Sequence, residues 1–222
     1  MAASLQASSP VDAVSEVDNQ FKGPVVTSRL EHGQMQEYLE SLRSLVQVCV
    51  NPDPPTSSLG FLAPVSDDEA DSYWHSISQK LAEQPPTLHL FVVATDSTPT
   101  VVLATAQLHT IPKVTHQHRA KIAKVLVHPS ARRKGIAKAL MRHVEVFARD
   151  ELKREILMLD TATETPAREF YKSIGWAEWG TCPEYGQFAD GRRADVTFFV
   201  KKLRGLDGRH HNFNKKGVRP QA

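Results

Sequence analysis

Apolar positions recur with two different periods along this chain, and the switches between them mark its elements. From about Arg29 to Val48 the apolar residues Leu39, Leu42, Leu45, Val46 and Cys49 fall on one stripe of a helix. Asn51-Pro52-Asp53-Pro54-Pro55 stops that helix, because proline cannot continue it. Gly60 to Val65 reads as a short apolar loop. A second helix is predicted from Ser66, with Asp67, Asp68 and Glu69 favourably placed in its first turn, ending before Pro85-Pro86. The period then shortens. Leu88 to Ala94 and Thr100 to Leu108 read as strands of a hairpin turned at Asp96-Ser97-Thr98-Pro99. A polar loop around Pro112 to His118 precedes a third strand, Ala120 to Val127. A helix from about Lys134 to Arg149 buries Ile136, Leu140, Val144 and Phe147. Glu155 to Asp160 is a further strand, followed by a short helix over Pro166 to Ser173 with Thr165 as its cap. Trp176 to Gly180 and Ala194 to Lys202 close the sheet. The order predicts an α/β (α+β) sandwich around a central mixed, mostly antiparallel sheet.

Composition narrows the setting. A chain of 222 residues with 41% hydrophobic and 23% charged content suits one soluble domain with tails. Residues 1–23 lack either period and read as a disordered N-terminal tail, which places the domain at 24–203. Residues 204–222 read as a basic flexible C-terminal tail. Residues 201–222 carry seven Lys or Arg against one Asp, a net +6 within a total of +2. Such a tail can touch nucleic acid or simply keep the protein soluble, and its lack of aromatics apart from Phe213 argues against nucleic acid. No apolar run approaches the length that spans a bilayer, and the first residues lack a secretory pattern. Cys49 and Cys182 are too few for a zinc cluster or a disulfide framework, so no metal is expected and a cytoplasmic, reducing setting is.

The sharpest chemical feature is the junction Val125-Leu126-Val127-His128-Pro129-Ser130-Ala131-Arg132-Arg133-Lys134-Gly135-Ile136-Ala137-Lys138. A β-branched strand ends, a turn follows, and a helix opens with three cations and a glycine. Helix N-termini leave backbone N–H groups without partners and carry partial positive charge. Gly135 lets an anion approach the backbone, and Ala137 adds little bulk, so the segment suits a diphosphate. A merely basic, solvated helix start is the alternative. Neither Gly-x-x-x-x-Gly-Lys-Ser/Thr nor Gly-x-Gly-x-x-Gly occurs, which excludes the two better-known phosphate loops.

The segment resembles the acyl-CoA signature of the Gcn5-related N-acetyltransferase superfamily, Gln/Arg-x-x-Gly-x-Gly/Ala, with Arg132, Gly135 and Ala137 at its defining positions. Downstream, Ala167-Arg168-Glu169-Phe170-Tyr171-Lys172-Ser173-Ile174-Gly175-Trp176 resembles the family's Phe-Tyr helix. The likeness spans roughly Leu88 to Leu203. Within the family the chain looks most like the tabtoxin-resistance type. That likeness rests on Leu59-Gly60-Phe61, Ser130-Ala131-Arg132, Leu159-Asp160-Thr161, Pro183-Glu184-Tyr185 and Asp190-Gly191-Arg192 before Thr197.

The resemblance implies an acetyl-CoA-dependent N-acetyltransferase that acylates an amine of a small molecule, an amino acid or amino-acid-like toxin, directly. A protein acetyltransferase or a non-catalytic acyl-CoA-binding module are the alternatives, and a homodimer is compatible with the family. It implies that Leu126 and Val127 line the pantetheine arm and that the Val127 N–H meets the developing oxyanion. Arg132, Arg133, Lys134, Gly135, Ile136, Ala137 and Lys138 would hold the pyrophosphate. Tyr171, a phenol protonated at neutral pH, is the candidate acid for the leaving thiolate. Asp160 and Glu164 are the candidate bases, and water is the alternative to both. His109, Glu184 and Tyr185 are candidate acceptor contacts, although the loop from Cys182 to Gly191 also reads as a plain hairpin at Asp190-Gly191. Lys121 and Ala123 depart from the tabtoxin type, which carries Glu and Gln there.

Overall fold

The computed structural model describes residues 24–53 and 59–203. The expected tails at 1–23 and 204–222, and Pro54-Pro55 of the first helix stop, lie outside the described residues. Seven strands form one sheet: β1 (Val25–Leu30), β2 (Leu88–Thr95), β3 (Ala104–Thr110), β4 (Arg119–Val127), β5 (Ile156–Ala162), β6 (Ala177–Gln187) and β7 (Arg193–Lys202). Their order is β1-β2-β3-β4-β5-β7-β6. All neighbours pair antiparallel except β4 and β5. Among the described residues, four α-helices flank the sheet: α1 (Met35–Val50), α2 (Asp67–Leu81), α3 (Ile136–Asp150) and α4 (Pro166–Ser173).

Each face of the sheet has its own core. Leu88, Leu90 and Val92 of β2 pack with Leu42, Val46, Trp74 and Ile77 of α1 and α2. Phe91 and Val93, one residue out of phase, pack on the other face with Leu140, Met141 and Val144 of α3. The period of two in the strand thus buries both faces of β2. At the start of α2, the Ser66 hydroxyl accepts from the Glu69 N–H while the Glu69 carboxylate accepts from the Ser66 N–H, closing a capping box. Arg43 of α1 then clasps Asp71 of α2 with two hydrogen bonds of 2.8 and 3.0 Å.

Four expectations are corrected. The segment from Val25 is strand β1, and the first helix begins at Met35 rather than near Arg29. The second strand of the hairpin starts at Ala104, because Thr100 to Leu103 form a loop docked on α1 through the Val102 N–H and the Ser41 hydroxyl, 2.7 Å. β6 runs to Gln187 and takes in most of the expected loop, leaving a short turn around Gly191 at φ +89°. Thr165 does precede α4, but its hydroxyl donates to the Ala162 carbonyl instead of capping the helix.

Candidate active site

The site begins where two strands part. β4 and β5 pair over only three residue pairs, Arg119–Ile156, Ala120–Leu157 and Lys121–Met158. Beyond them the strands diverge, and Ile122 to Val127 on one side and Leu159 to Ala162 on the other line a cavity of about 1010 Å³. A bulge helps to open it. The β3–β4 register shifts between Thr105 and Gln107, so that Lys124 and Val125 stand opposite Ala106. Lys124 adopts φ +51°, and its carbonyl accepts a bond from the Thr105 hydroxyl. An extra residue on one strand bends that strand and strengthens its twist.

Ladder geometry settles where the Val127 amide points. The His128 N–H points to β3 as in a hydrogen-bonded pair, donating to the Leu103 carbonyl at 2.8 Å, while the Leu103 N–H itself donates to Val93 of β2 at 2.7 Å. The adjacent pair, Val127 opposite Ala104, is therefore the other kind, with its N–H and C=O turned away from β3 toward the opening. The Val127 carbonyl accepts from the Arg132 Nε at 3.2 Å and from the Cys49 thiol at 3.4 Å.

The cationic junction forms the rim. Arg133 and Gly135 both take left-handed φ values, +62° and +77°, which turn the chain sharply into α3. Gly135 caps α3 without a side-chain bond to its first N–H groups, and a Cβ added there would meet nothing within 4 Å. Leu126, Val127, Arg132, Arg133, Gly135, Ile136, Ala137 and Lys138 of the expected set all line the cavity, whereas the exposed Lys134 does not. The arrangement suits an anion at a helix start.

Tyr171 and Asp160 reach the same cavity from α4 and β5. Tyr171 is 7% exposed and packed between Phe170, Trp176 and Phe199, with ring centroids at 5.3, 6.3 and 5.6 Å. Burial, and secondarily the Asp160 charge, push its phenol above the ordinary range, so it stays protonated at neutral pH. Asp160 pairs with the Lys121 ammonium at 2.5 Å. Glu164 is exposed and lines no part of the cavity.

Acceptor candidates separate. Tyr185 lines a second cavity of about 410 Å³ that adjoins the first through Leu59 and Asp160, which line both. Glu184 lies at φ +49° in the β6 bulge, with its N–H on the Asp195 carboxylate at 2.9 Å, and is part of neither wall. His109 also lies outside both walls. It bonds Gln107 at 3.2 Å, and burial, helped by Lys80 and Lys121, lowers its pKa to about 4. Glu184 thus sits in a bulge of β6 and His109 on β3, and neither lines either cavity.

Sequence reasoning missed Lys124. Its ammonium donates to the Leu59 carbonyl at 2.6 Å and stands 4.1 Å from the Phe61 ring centre. Burial lowers its pKa to about 8, against a raising influence from Asp160 and a lowering one from Lys121. A second lysine three residues after Lys121, among the apolar residues of β4, was the available signal, and the bulge places it at the cleft.

Residues 55–176, more than half of the chain, match the sequence profile of the Acetyltransferase (GNAT) family. The chain belongs to that family. Among solved structures, an N-acetyltransferase from Staphylococcus aureus is 18% identical with a TM-score of 0.60, covering 82% of this chain and 100% of that one. A chimeric spermidine N-acetyltransferase built from the Vibrio cholerae enzyme is 19% identical with a TM-score of 0.62, covering 83% and 99%. A probable acetyltransferase from Staphylococcus epidermidis is 16% identical at 0.58, covering 81% and 99%. At these identities the likeness shows the GNAT fold, a mostly antiparallel sheet flanked by helices. The protein is thus an acetyltransferase of the GNAT family, whose members generally take their acetyl group from acetyl-CoA.

Proposed function

We propose that the protein transfers the acetyl group of acetyl-CoA directly to the primary or secondary amine of a small molecule, an amino acid or an amino-acid-like compound, in the cytoplasm. The observation that carries this reading is the cleft between β4 and β5, with an uncapped cationic helix start at its rim and a protonated tyrosine in its wall. The residues present fit the cofactor. The backbone of Gly135 to Lys138, with Arg132 and Arg133 beside it, offers an anion its N–H groups and charge, and the space in front of Gly135 is open. The parted strand edges at Leu126 and Val127 offer hydrogen-bonding groups to an extended amide-containing arm.

When bound, acetyl-CoA supplies an electrophilic thioester carbonyl. The acceptor nitrogen forms a bond to that carbon, the carbon–sulfur bond breaks, and the sulfur leaves as thiolate. The Val127 N–H is aimed to receive the negative oxygen that develops, and the Tyr171 phenol donates its proton to the leaving sulfur. Asp160, a carboxylate in the cavity wall, accepts the proton released by the amine, with water as the alternative. A non-catalytic acyl-CoA module would have no use for a buried protonated tyrosine facing that cavity.

The reading is tested by offering purified protein acetyl-CoA with separate panels of amino acids, polyamines and peptides and following release of free thiol. Turnover with amino acids or related small amines is the expected result. Turnover with peptides alone would replace this reading by a protein acetyltransferase, and cofactor binding without turnover would replace it by the binding module.

A further inference from the structure

The cavity beside the cofactor cleft has a composition that defines its occupant. Its lining is Leu59, Phe61, Leu62, Tyr185 and Val196 with the uncharged amide Gln187, and Asp160 is the sole carboxylate among its lining residues. Tyr185 is 62% exposed and stacks edge-on against Phe198 at 5.2 Å, and Phe198 in turn meets Trp179 at 5.6 Å. Phe198 is the register partner of Asp160, so the three rings continue from that carboxylate along the sheet surface. A polyamine would need a second anion along this wall, and the rest of the wall offers rings, aliphatic groups and one uncharged amide, Gln187, instead.

The loop that closes the cavity is fixed from three sides. Lys124 holds the Leu59 carbonyl and the Phe61 ring, and Phe61 meets the Tyr73 ring at 5.0 Å. The Ala63 N–H donates to the Ala189 carbonyl beyond β6, at 2.9 Å. Gly60, at φ +92°, comes so near Lys124 that a Cβ there would lie 2.8 Å from the ammonium. The wall is therefore preformed, which spares an incoming ligand the cost of ordering it.

At the mouth, Lys121 and Asp160 form a 2.5 Å ion pair, and the Lys121 side chain is 49% exposed. An opposed ammonium and carboxylate complement a zwitterion, because one internal pair is exchanged for two. Resting on the acetyl-transfer reading above, we infer that the acceptor is a zwitterionic amine with a bulky apolar or aromatic side chain. Its amine lies at Asp160, its carboxylate at Lys121 and its side chain between Phe61 and Tyr185.

The test compares kcat/KM for phenylalanine, leucine, alanine, glutamate, phenethylamine and spermidine. Phenylalanine and leucine should exceed alanine and glutamate by about tenfold or more, the scale on which apolar pockets discriminate. Phenylalanine should also exceed phenethylamine, and Lys121→Met should remove that difference. Tyr185→Ala should raise KM for phenylalanine more than for alanine. Spermidine or glutamate as the best acceptor, or a phenylalanine preference indifferent to both substitutions, would overturn this inference while leaving acetyl transfer standing. Loss of turnover with every amine despite acetyl-CoA binding would overturn the underlying reading instead.

Discussion

Two side chains of the cleft, Tyr171 and Lys124, differ in how much of their placement was legible in the sequence. Tyr171 could be placed from its Phe-Tyr helix, and the structure adds its burial and its high pKa. Replacing it with phenylalanine keeps the ring packing and removes the proton, so kcat should fall by about 100-fold or more with little change in affinity for acetyl-CoA. An unchanged kcat in steady-state kinetics would return Tyr171 to packing. Lys124 was illegible, because its direction depends on a bulge formed with a strand some twenty residues earlier. Its pKa lies near 8, below the ordinary lysine value, so the ammonium that grips Phe61 and Leu59 is present below that pH and is lost above it. The acceptor KM should therefore rise as pH passes about 8, a value set chiefly by burial, with Asp160 raising it and Lys121 lowering it. Lys124→Met should raise KM at neutral pH and remove that rise; a pH profile identical to wild type would count against the grip.

Elements with strong periodicity were read correctly, and those at the edges of the sheet were not. The stripe in α3 is regular, and Leu140 on it is fully buried. Leu140→Ala should lower stability by about 3 kcal/mol, measurable by denaturant melts. β1 carries a single buried residue, Leu30, so it lacks the alternation that identifies a half-buried strand. β6 is exposed almost throughout, contains Pro183 and is broken by two irregularities, which an edge strand tolerates and a pattern reading rejects. The second cavity was invisible for a related reason. Leu59 and Phe61 meet Tyr185 and Val196 only through the fold, more than 100 residues along the chain.

For the molecule as a whole, His89 and His109, more strongly shifted than His128, contribute to the response to acid. His89 and His109 have pKa values lowered to about 4, chiefly by burial. Between about pH 6.5 and 4 the unfolded chain binds protons that the folded protein refuses, so stability falls as pH drops through that window. Each histidine contributes at most on the order of 3 kcal/mol to this loss. His89→Leu should flatten the dependence of the melting temperature on pH there, and an unaltered slope would refute the attribution.

The same scale holds the central claim: parting β4 from β5 beside an uncapped helix makes the acetyl-donor site. The most direct measurement is calorimetric titration of acetyl-CoA into wild type and Gly135→Trp. The bulky ring would occupy the open space before the helix start, while the left-handed backbone there would cost only about 1 kcal/mol of stability. Binding weakened by about tenfold or more in a variant that still melts cooperatively is the predicted result. An unchanged dissociation constant would place the cofactor elsewhere and contradict the account.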